Sequence, residues 1–336
     1  MQQQRMPTRR QALITAGAGA LLGATGGGAW AQAAYPTRAV HIVAPFTPGG
    51  SSDLLARAIG QSLTQAWGGQ AVVVENIPGA GGSVGSDKVA RSPADGYMLL
   101  MGHTGTLAVN PSLYPKLGYD PLKSFAPVAL VARVPNVLVV HPSVPARNLA
   151  ELVALTKAQP GQLAYGSGGN GSAAHISTEY LKLKTGASLM HVPYRGTAPS
   201  VSDLLAGQVQ VLFTGAPALL GHIRAGKMRA LAVSSLQRLP QLPQVPTIAE
   251  SGVPGTNGFE ADQWYGLVAP AGTSAAIVTQ LNNEANRALQ SPEMQARLAA
   301  EGALAAPMTP QAFGQLIAQD IVRWREVVRA AQVTVE

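Results

Sequence analysis

Short apolar runs recur along the chain, each closed by a glycine-bearing loop and followed by apolar residues at helical spacing. Residues 40–46 (VHIVAPF) run into 47–53 (TPGGSSD), after which Leu55, Ile59, Ser62, Leu63 and Ala66 follow on one helical face. Residues 71–74 lead into 77–85 (IPGAGGSVG) and a helix to about Arg91, and residues 98–101 lead into Gly102-His103-Thr104-Gly105. The plan then repeats. Residues 163–165 open onto 166–172 and a helix through His175, Ile176 and Leu183; residues 190–192 open onto 193–199 and a helix carrying Val201, Leu204 and Leu205. Residues 209–213 and 230–233 supply further strands. Continuous apolar strands alternating with helices predict βαβ units and parallel sheets covered on both faces, an α/β protein in two similar halves.

Two apolar stretches, residues 128–140 and 264–270, are longer or more interrupted than one strand-to-helix step needs, and they sit where the chain passes between the halves. They are read as hinge strands: residues 35–134 plus 262–336 form lobe 1, and residues 135–261 form lobe 2. Near the C-terminus Phe313, Leu316, Ile317, Ile321, Trp324 and Val328 make one apolar stripe, which predicts a packing helix.

Ahead of the first strand the pattern changes. Thr8-Arg9-Arg10 precedes an uncharged stretch rich in Ala, Gly and Leu that ends in A-x-A steps at 29–31 and 31–33. A positive start, a weakly apolar middle and a small-residue end are the layout of a signal peptide over residues 1–33, removed on export. The paired arginines resemble a twin-arginine signal, with Ala12 where Phe is expected and Ile14 in place of Lys, so that route and general secretion both remain open. The full chain has 24 Lys+Arg against 17 Asp+Glu, a net +7; without residues 1–33 it loses Arg5, Arg9 and Arg10 and falls to +4. With no dense basic run, nucleic-acid binding is not expected. The 336 residues include no Cys, which excludes disulfides, thiolate metal sites, a cysteine nucleophile and a lipid-anchored cysteine. The expected product is soluble in the periplasm.

Several chemistries compete for the glycine loops. A dinucleotide fingerprint fails because Val84 stands at the sixth position of the loop opening at Gly79, and no Walker A pattern occurs. Residues 81–85 satisfy G-x-S-x-G, with Asp203 and His222 in the chain order of a hydrolase triad, but about seven loop residues separate Ser83 from its strand, unlike a nucleophile elbow. A secreted serine hydrolase using Ser83 is thus one alternative. The six histidines lack metal-ligand spacing; His41 and His191 read as strand residues, His103 and His175 as ligand candidates. No metal and no cofactor are expected.

What the loops do offer is backbone N–H groups at helix N-termini. The loops before the helices near Asp53, Gly82-Ser83, Gly171-Ser172 and Thr197 each leave amides unpaired at a positive dipole end, where carboxylates bind. Ordinary capping by Ser52 or Asp53, Ser83, Ser172 and Ser200 would use the same residues without any ligand. Four such loops at strand C-terminal ends favour a cleft site.

Particular segments also carry a family resemblance: Tyr35-Pro36, VAPFTPGGSSD at 43–53, VVENIPGAGG at 73–82, PADGY at 93–97, NPSLY at 110–114, GGNGSAAH at 168–175, HVPYRG at 191–196, GKMRALAV at 226–233 and VPTIAESG at 245–252. In this order, from Tyr35 to past Trp324, the chain resembles the Bug-type extracytoplasmic receptors of tripartite tricarboxylate transporters. The resemblance implies a two-lobed periplasmic binding protein, type II-like, each lobe a mainly parallel sheet flanked by helices, closing on a small carboxylated solute. It implies membrane transporter subunits as partners and no enzymatic activity; a monomer is expected. It points to Thr47, Pro48, Gly49 and Gly50 in one lobe, and to Ser167, Gly168, Gly171, Ser172 and His175 in the other. Arg195, Gly196 and Thr197 are similar to the second loop of that lobe, and His103-Thr104 to the third loop of the first. Asp53, Gly82 and Ser83 join the candidates from their helix starts, and Asp262, ahead of the second hinge strand, could pair a ligand amine or hydroxyl. A ligand-sensing receptor serving a signalling partner is the remaining alternative.

Overall fold

The computed structural model describes residues 35–334. The signal peptide expected over residues 1–33 lies outside the described residues. Two sheets organise the chain. Strands β1 (Val40–Ala44), β2 (Val72–Asn76), β3 (Met98–His103), β4 (Phe125–Val134), β10 (Gln263–Pro270) and β11 (Leu304–Ala305) form a six-stranded sheet in the order β11-β4-β10-β3-β1-β2. Strands β5 (Asn136–Val140), β6 (Ala164–Ser167), β7 (Met190–Pro193), β8 (Val211–Gly215) and β9 (Arg229–Val233) form a five-stranded sheet in the order β7-β6-β8-β5-β9.

Each sheet is parallel where βα units build it, in β2-β1-β3 and β7-β6-β8. Each is antiparallel where the connecting strands enter: β10 lies between β3 and β4, and β5 between β8 and β9. The connecting strands are buried at almost every position, which is why they read as continuous apolar runs without alternation. Only Pro135 separates β4 from β5, so the chain steps directly from one sheet to the other; it returns through residues 234–262 into β10.

Helices follow strands of the two sheets: α1 (Ser51–Ala66), α2 (Ser83–Ala90), the short α3 (Asn110–Leu113), α4 (Leu149–Ala158), α5 (Ala173–Thr185), α6 (Thr197–Leu205) and the short α7 (Leu220–Arg224). Three more cover the six-stranded sheet: α8 (Ala275–Gln290), α9 (Pro292–Ala300) and α10 (Pro310–Ala330). Ser274, Ser291 and Thr309 cap them with their hydroxyls, and Pro292 and Pro310 sit where a missing N–H costs nothing. The predicted C-terminal stripe is the buried face of α10, with Phe313 edge-on to Trp264 of β10. Among the described residues no helix is long and apolar enough to cross a membrane.

Candidate functional site

The loop between β1 and α1 is held by a carboxylate from the helix it precedes. Asp53 Oδ2 accepts the Gly49 N–H (2.9 Å), and Oδ1 accepts from Asn76 Nδ2 (3.0 Å) and pairs with Arg57 (2.9 Å). Burial pushes the Asp53 carboxyl up, but the hydrogen bonds from Arg57, Gly49 and Asn76 outweigh it and hold it below the ordinary carboxylate value. Gly50 caps α1 without a side-chain bond, so no capping group takes the first-turn amides at Ser51 and Ser52.

In the five-stranded half, Ser167 and His175 shape the loop that follows β6. The Gly169 N–H donates to Ser167 Oγ (3.1 Å), Ser167 Oγ bonds His191 Nε2 (2.6 Å), and the Gly171 N–H donates to His175 Nδ1 (3.1 Å). The rings of His175 and His191 are stacked with centroids 4.1 Å apart, and His191 also stacks on Tyr165. Burial lowers the pKa of His175 to about 4 and of His191 to about 3, so both are neutral at pH 7 and His175 is free to accept. Ser172 is a true N-cap, its hydroxyl accepting the His175 N–H at 3.3 Å, whereas α6 starts at Gly196 with no side-chain cap. Glycine, not the expected serines, therefore occupies the cap positions of α1, α2 and α6.

Two cavities that share Gly168 lie between these loops. The inner one is lined by the first turns of α1 (Ser51, Ser52), α5 (Ala173, Ala174, with Ser172) and α6 (Thr197), together with Phe46, Gly50, His103, Thr214, Gln263 and Tyr265. Its volume of about 20 Å³ admits one water-sized group. No Asp, Glu, Lys or Arg lines it among the described residues. Among the described residues the Ser52 hydroxyl, buried there, has no hydrogen-bond partner, nor has the Thr47 hydroxyl at the edge of the outer cavity. His103 Nδ1 accepts the Thr106 N–H (3.0 Å), which puts the ring proton on Nε2, and burial lowers its pKa to about 4.

The outer cavity measures about 890 Å³ and is walled by Thr47, Pro78, Ala80, Tyr114, Asn170, Tyr194 and Arg195, its single charged residue among those described. Across its rim the two halves touch. Tyr114 Oη donates to the Asn170 carbonyl (2.7 Å), and Gly196 packs so closely on Thr47 that a Cβ there would overlap the threonine hydroxyl.

Of the residues expected from the sequence, Thr47, Gly50, His103, Gly168, Ser172, Arg195 and Thr197 line the cavities. Pro48 and Gly49 lie exposed on the loop, and Asp53, Ser167, Gly171, His175 and Gly196 shape the loops from behind. Thr104 Oγ1 accepts the Trp264 N–H (2.9 Å), tying β3 to β10. Gly82 caps α2, and Ser83 Oγ accepts from Asn110 Nδ2 (2.9 Å). Asp262 accepts a hydrogen bond from Ser234 in the second crossover and lines neither cavity. Sequence reading missed Ser51, Ser52, Gln263 and Tyr265 as cavity residues; of these only Ser52 was visible, as a helix cap. No hydrogen bond joins Ser83, Asp203 and His222 among the described residues, Asp203 instead accepting from Tyr194 Oη (2.6 Å).

Comparison with known proteins decides between the readings. The family described as "Tripartite tricarboxylate transporter family receptor" matches residues 55–333. The chain belongs to this receptor family. It is 42% identical over 296 residues to the protein BugT of Bordetella pertussis, covering 88% of this chain and 90% of that one. Among solved structures, an R. palustris protein with adipate has 39% identity and a TM-score of 0.86, over 90% of this chain and 99% of that one. The periplasmic binding protein BugD gives 36% and 0.85, over 90% of this chain and all of its own. MatC from Rhodopseudomonas palustris with bound malate gives 35% and 0.83, over 88% and 100%. The tripartite tricarboxylate transporter receptor described here is thus a two-lobed solute-binding protein and not an enzyme, and its inner cavity stands at the ends of the parallel strands of both sheets.

Proposed function

We propose that this receptor captures a small carboxylate in the cleft and delivers it to a membrane transporter of the tripartite tricarboxylate type. The observation that carries the reading is the inner cavity: the starts of α1, α5 and α6 meet around a serine hydroxyl that, among the described residues, has no hydrogen-bond partner, and no charged side chain of those residues lines the cavity. Helix N-termini supply N–H donors and partial positive charge, so the group they hold is an anion. One carboxylate oxygen or a bridging water fills the inner cavity, and the solute body lies in the outer one beside Arg195. Thr47, Gly50, Ser52, His103, Gly168, Ser172 and Thr197 are the contacts, and Asp53, Ser167 and His175 hold the loops that carry them.

The adipate and malate relatives support a carboxylate over other anions. The same relationship supports the periplasm as the working compartment; in this reading residues 1–33 are removed on export and the mature receptor acts as a monomer. The lobes in this reading are residues 35–134 with 262–336 and residues 135–261, and the solute closes them because it contacts both.

Isothermal titration of the mature protein with a panel of mono- and dicarboxylates tests the reading, with Ser52→Ala as the probe. Micromolar binding of one carboxylate class is expected, weakened at least tenfold in Ser52→Ala, because a hydrogen bond to a charged group contributes about 1.5–3 kcal/mol. No binding by the panel, or full affinity in the variant, would overturn it.

A further inference from the structure

A chain of buried hydrogen bonds runs from the inner cavity into the crossovers between the two sheets. Tyr265 shares the wall of the inner cavity with Ser51 and Ser52 at the start of α1, and donates its phenol O–H to Gln263 Oε1 (2.6 Å). Gln263, the first residue of β10, donates through Nε2 to Asn136 Oδ1. Asn136, the first residue of β5, donates through Nδ2 to the Ala261 carbonyl (2.6 Å) and to Ser177 Oγ in α5 (3.1 Å). The backbone joins in: the Asn136 N–H donates to Ser234 Oγ (2.8 Å), and that hydroxyl donates to Asp262 Oδ1. The line thus begins in the cavity wall beside the start of α1 and ends on α5 of the other half, passing through both crossovers.

Asn136 is fully buried and lines neither cavity, so it meets no solute. Its side-chain amide nevertheless uses both donors and accepts at Oδ1, and its partners Ala261 and, through the backbone N–H, Ser234 lie in the returning crossover, with Gln263 where that crossover enters β10. Rotation of one sheet against the other pivots where the two crossovers run side by side. Hydrogen bonds spanning that pivot depend steeply on distance and angle, so the network is complete in one relative setting of the halves. We propose that Asn136 is a positioning residue for solute capture: acting through Gln263 and Tyr265, it holds the paired crossovers in the setting that brings the α1 and α5 starts onto one carboxylate.

This inference rests on the cleft being the carboxylate site. It is tested by a double-mutant cycle of Asn136→Ala and Tyr265→Phe on the mature protein, read as the dissociation constant of the best dicarboxylate, together with X-ray scattering of free and loaded protein. Asn136→Ala alone is expected to raise the constant about tenfold, mostly by faster release, and to leave the loaded protein less compact. In the double variant the two losses are expected to combine to less than their product, since both break one line. Asn136→Asp, which keeps the acceptor for Gln263 and loses both donations, serves where the alanine variant does not fold. A purely structural Asn136 would lower the unfolding temperature yet leave affinity and compaction at wild-type values, and that result overturns the inference, as does a combined loss equal to the product. If Ser52→Ala weakens binding while Asn136 variants do not, the carboxylate reading stands and this one falls; if the wild type binds no carboxylate, both fall.

Discussion

Gly196→Ala isolates closure from folding. Gly196 has φ 163° and ψ 174°, an extended conformation open to any residue, so alanine brings no backbone strain. The obstacle lies across the cleft, because a Cβ would overlap Thr47 Oγ1 and stand 3.0 Å from the Thr47 backbone nitrogen and 3.1 Å from its Cβ. Those atoms belong to the other half of the protein, so the clash exists only when the halves meet. Overpacking of this kind costs about 1–3 kcal/mol, which corresponds to roughly a 5- to 150-fold rise in the dissociation constant. Titration calorimetry measures the affinity, and thermal unfolding of the ligand-free variant should match wild type within about 0.5 kcal/mol, as for a benign surface change. Gly221→Ala, where an added methyl meets nothing within 4 Å, is the control and should leave affinity unchanged. Wild-type affinity in Gly196→Ala, with normal compaction on ligand binding, would refute the argument that Gly196 and Thr47 must touch for capture.

Other outcomes follow from single groups. Burial raises the Asp262 pKa from 3.8 to about 6, so the folded state binds the extra proton between those values; stability falls as pH rises through that window and stays reduced above it. Asp262→Asn should therefore raise the unfolding temperature at pH 7.5 by the equivalent of up to about 3 kcal/mol and have little effect near pH 3.5; an equal effect at both pH values contradicts the assignment. His175→Phe keeps the stack on His191 but removes the acceptor for the Gly171 N–H, and calorimetry should show affinity reduced about five- to tenfold. Unchanged affinity would mean the loop holds its shape without that bond. Arg195→Gln should weaken dicarboxylates several-fold more than monocarboxylates, and equal losses for the two would remove Arg195 from the site.

The parts of the fold legible in the sequence are those set by local pattern. Apolar runs closed by glycine loops identified β1, β2, β6 and β7 with the helices after them, and the strand β3, because glycine and proline interrupt the chain where a strand ends. The glycine loops themselves also pointed to the cleft. What stayed hidden depends on distant partners. Gln263 and Tyr265 sit in a strand whose eight residues are all buried, so no alternation of polar and apolar positions singles out the face toward the cavity. Ser52 reads as a cap because nothing local reveals that Gly50 takes the cap position and that the Ser52 hydroxyl has no hydrogen-bond partner among the described residues. The contact of Tyr114 with Asn170 joins residues 56 apart and appears only once both sheets are assembled.

That no charged side chain among the described residues lines the inner cavity bears, in the proposed reading, on release as much as on capture. A buried arginine would hold a carboxylate more strongly, but removing the solute would then leave an unpaired charge in a dry site, at a cost of several kcal/mol. Helix starts avoid that: their N–H groups and hydroxyls are neutral, and water can satisfy them when the cleft empties. Each helix end contributes about 0.3–2 kcal/mol to an anion, so three ends with added hydrogen bonds reach the roughly 8 kcal/mol of micromolar binding only when all act on the same group. Affinity is then a property of the relative setting of the two halves, since α1 belongs to one and α5 and α6 to the other. In the proposed reading, a receptor built this way releases its solute when the halves part, and Asn136 and Gly196, which fix their relative setting, control affinity without contacting the solute.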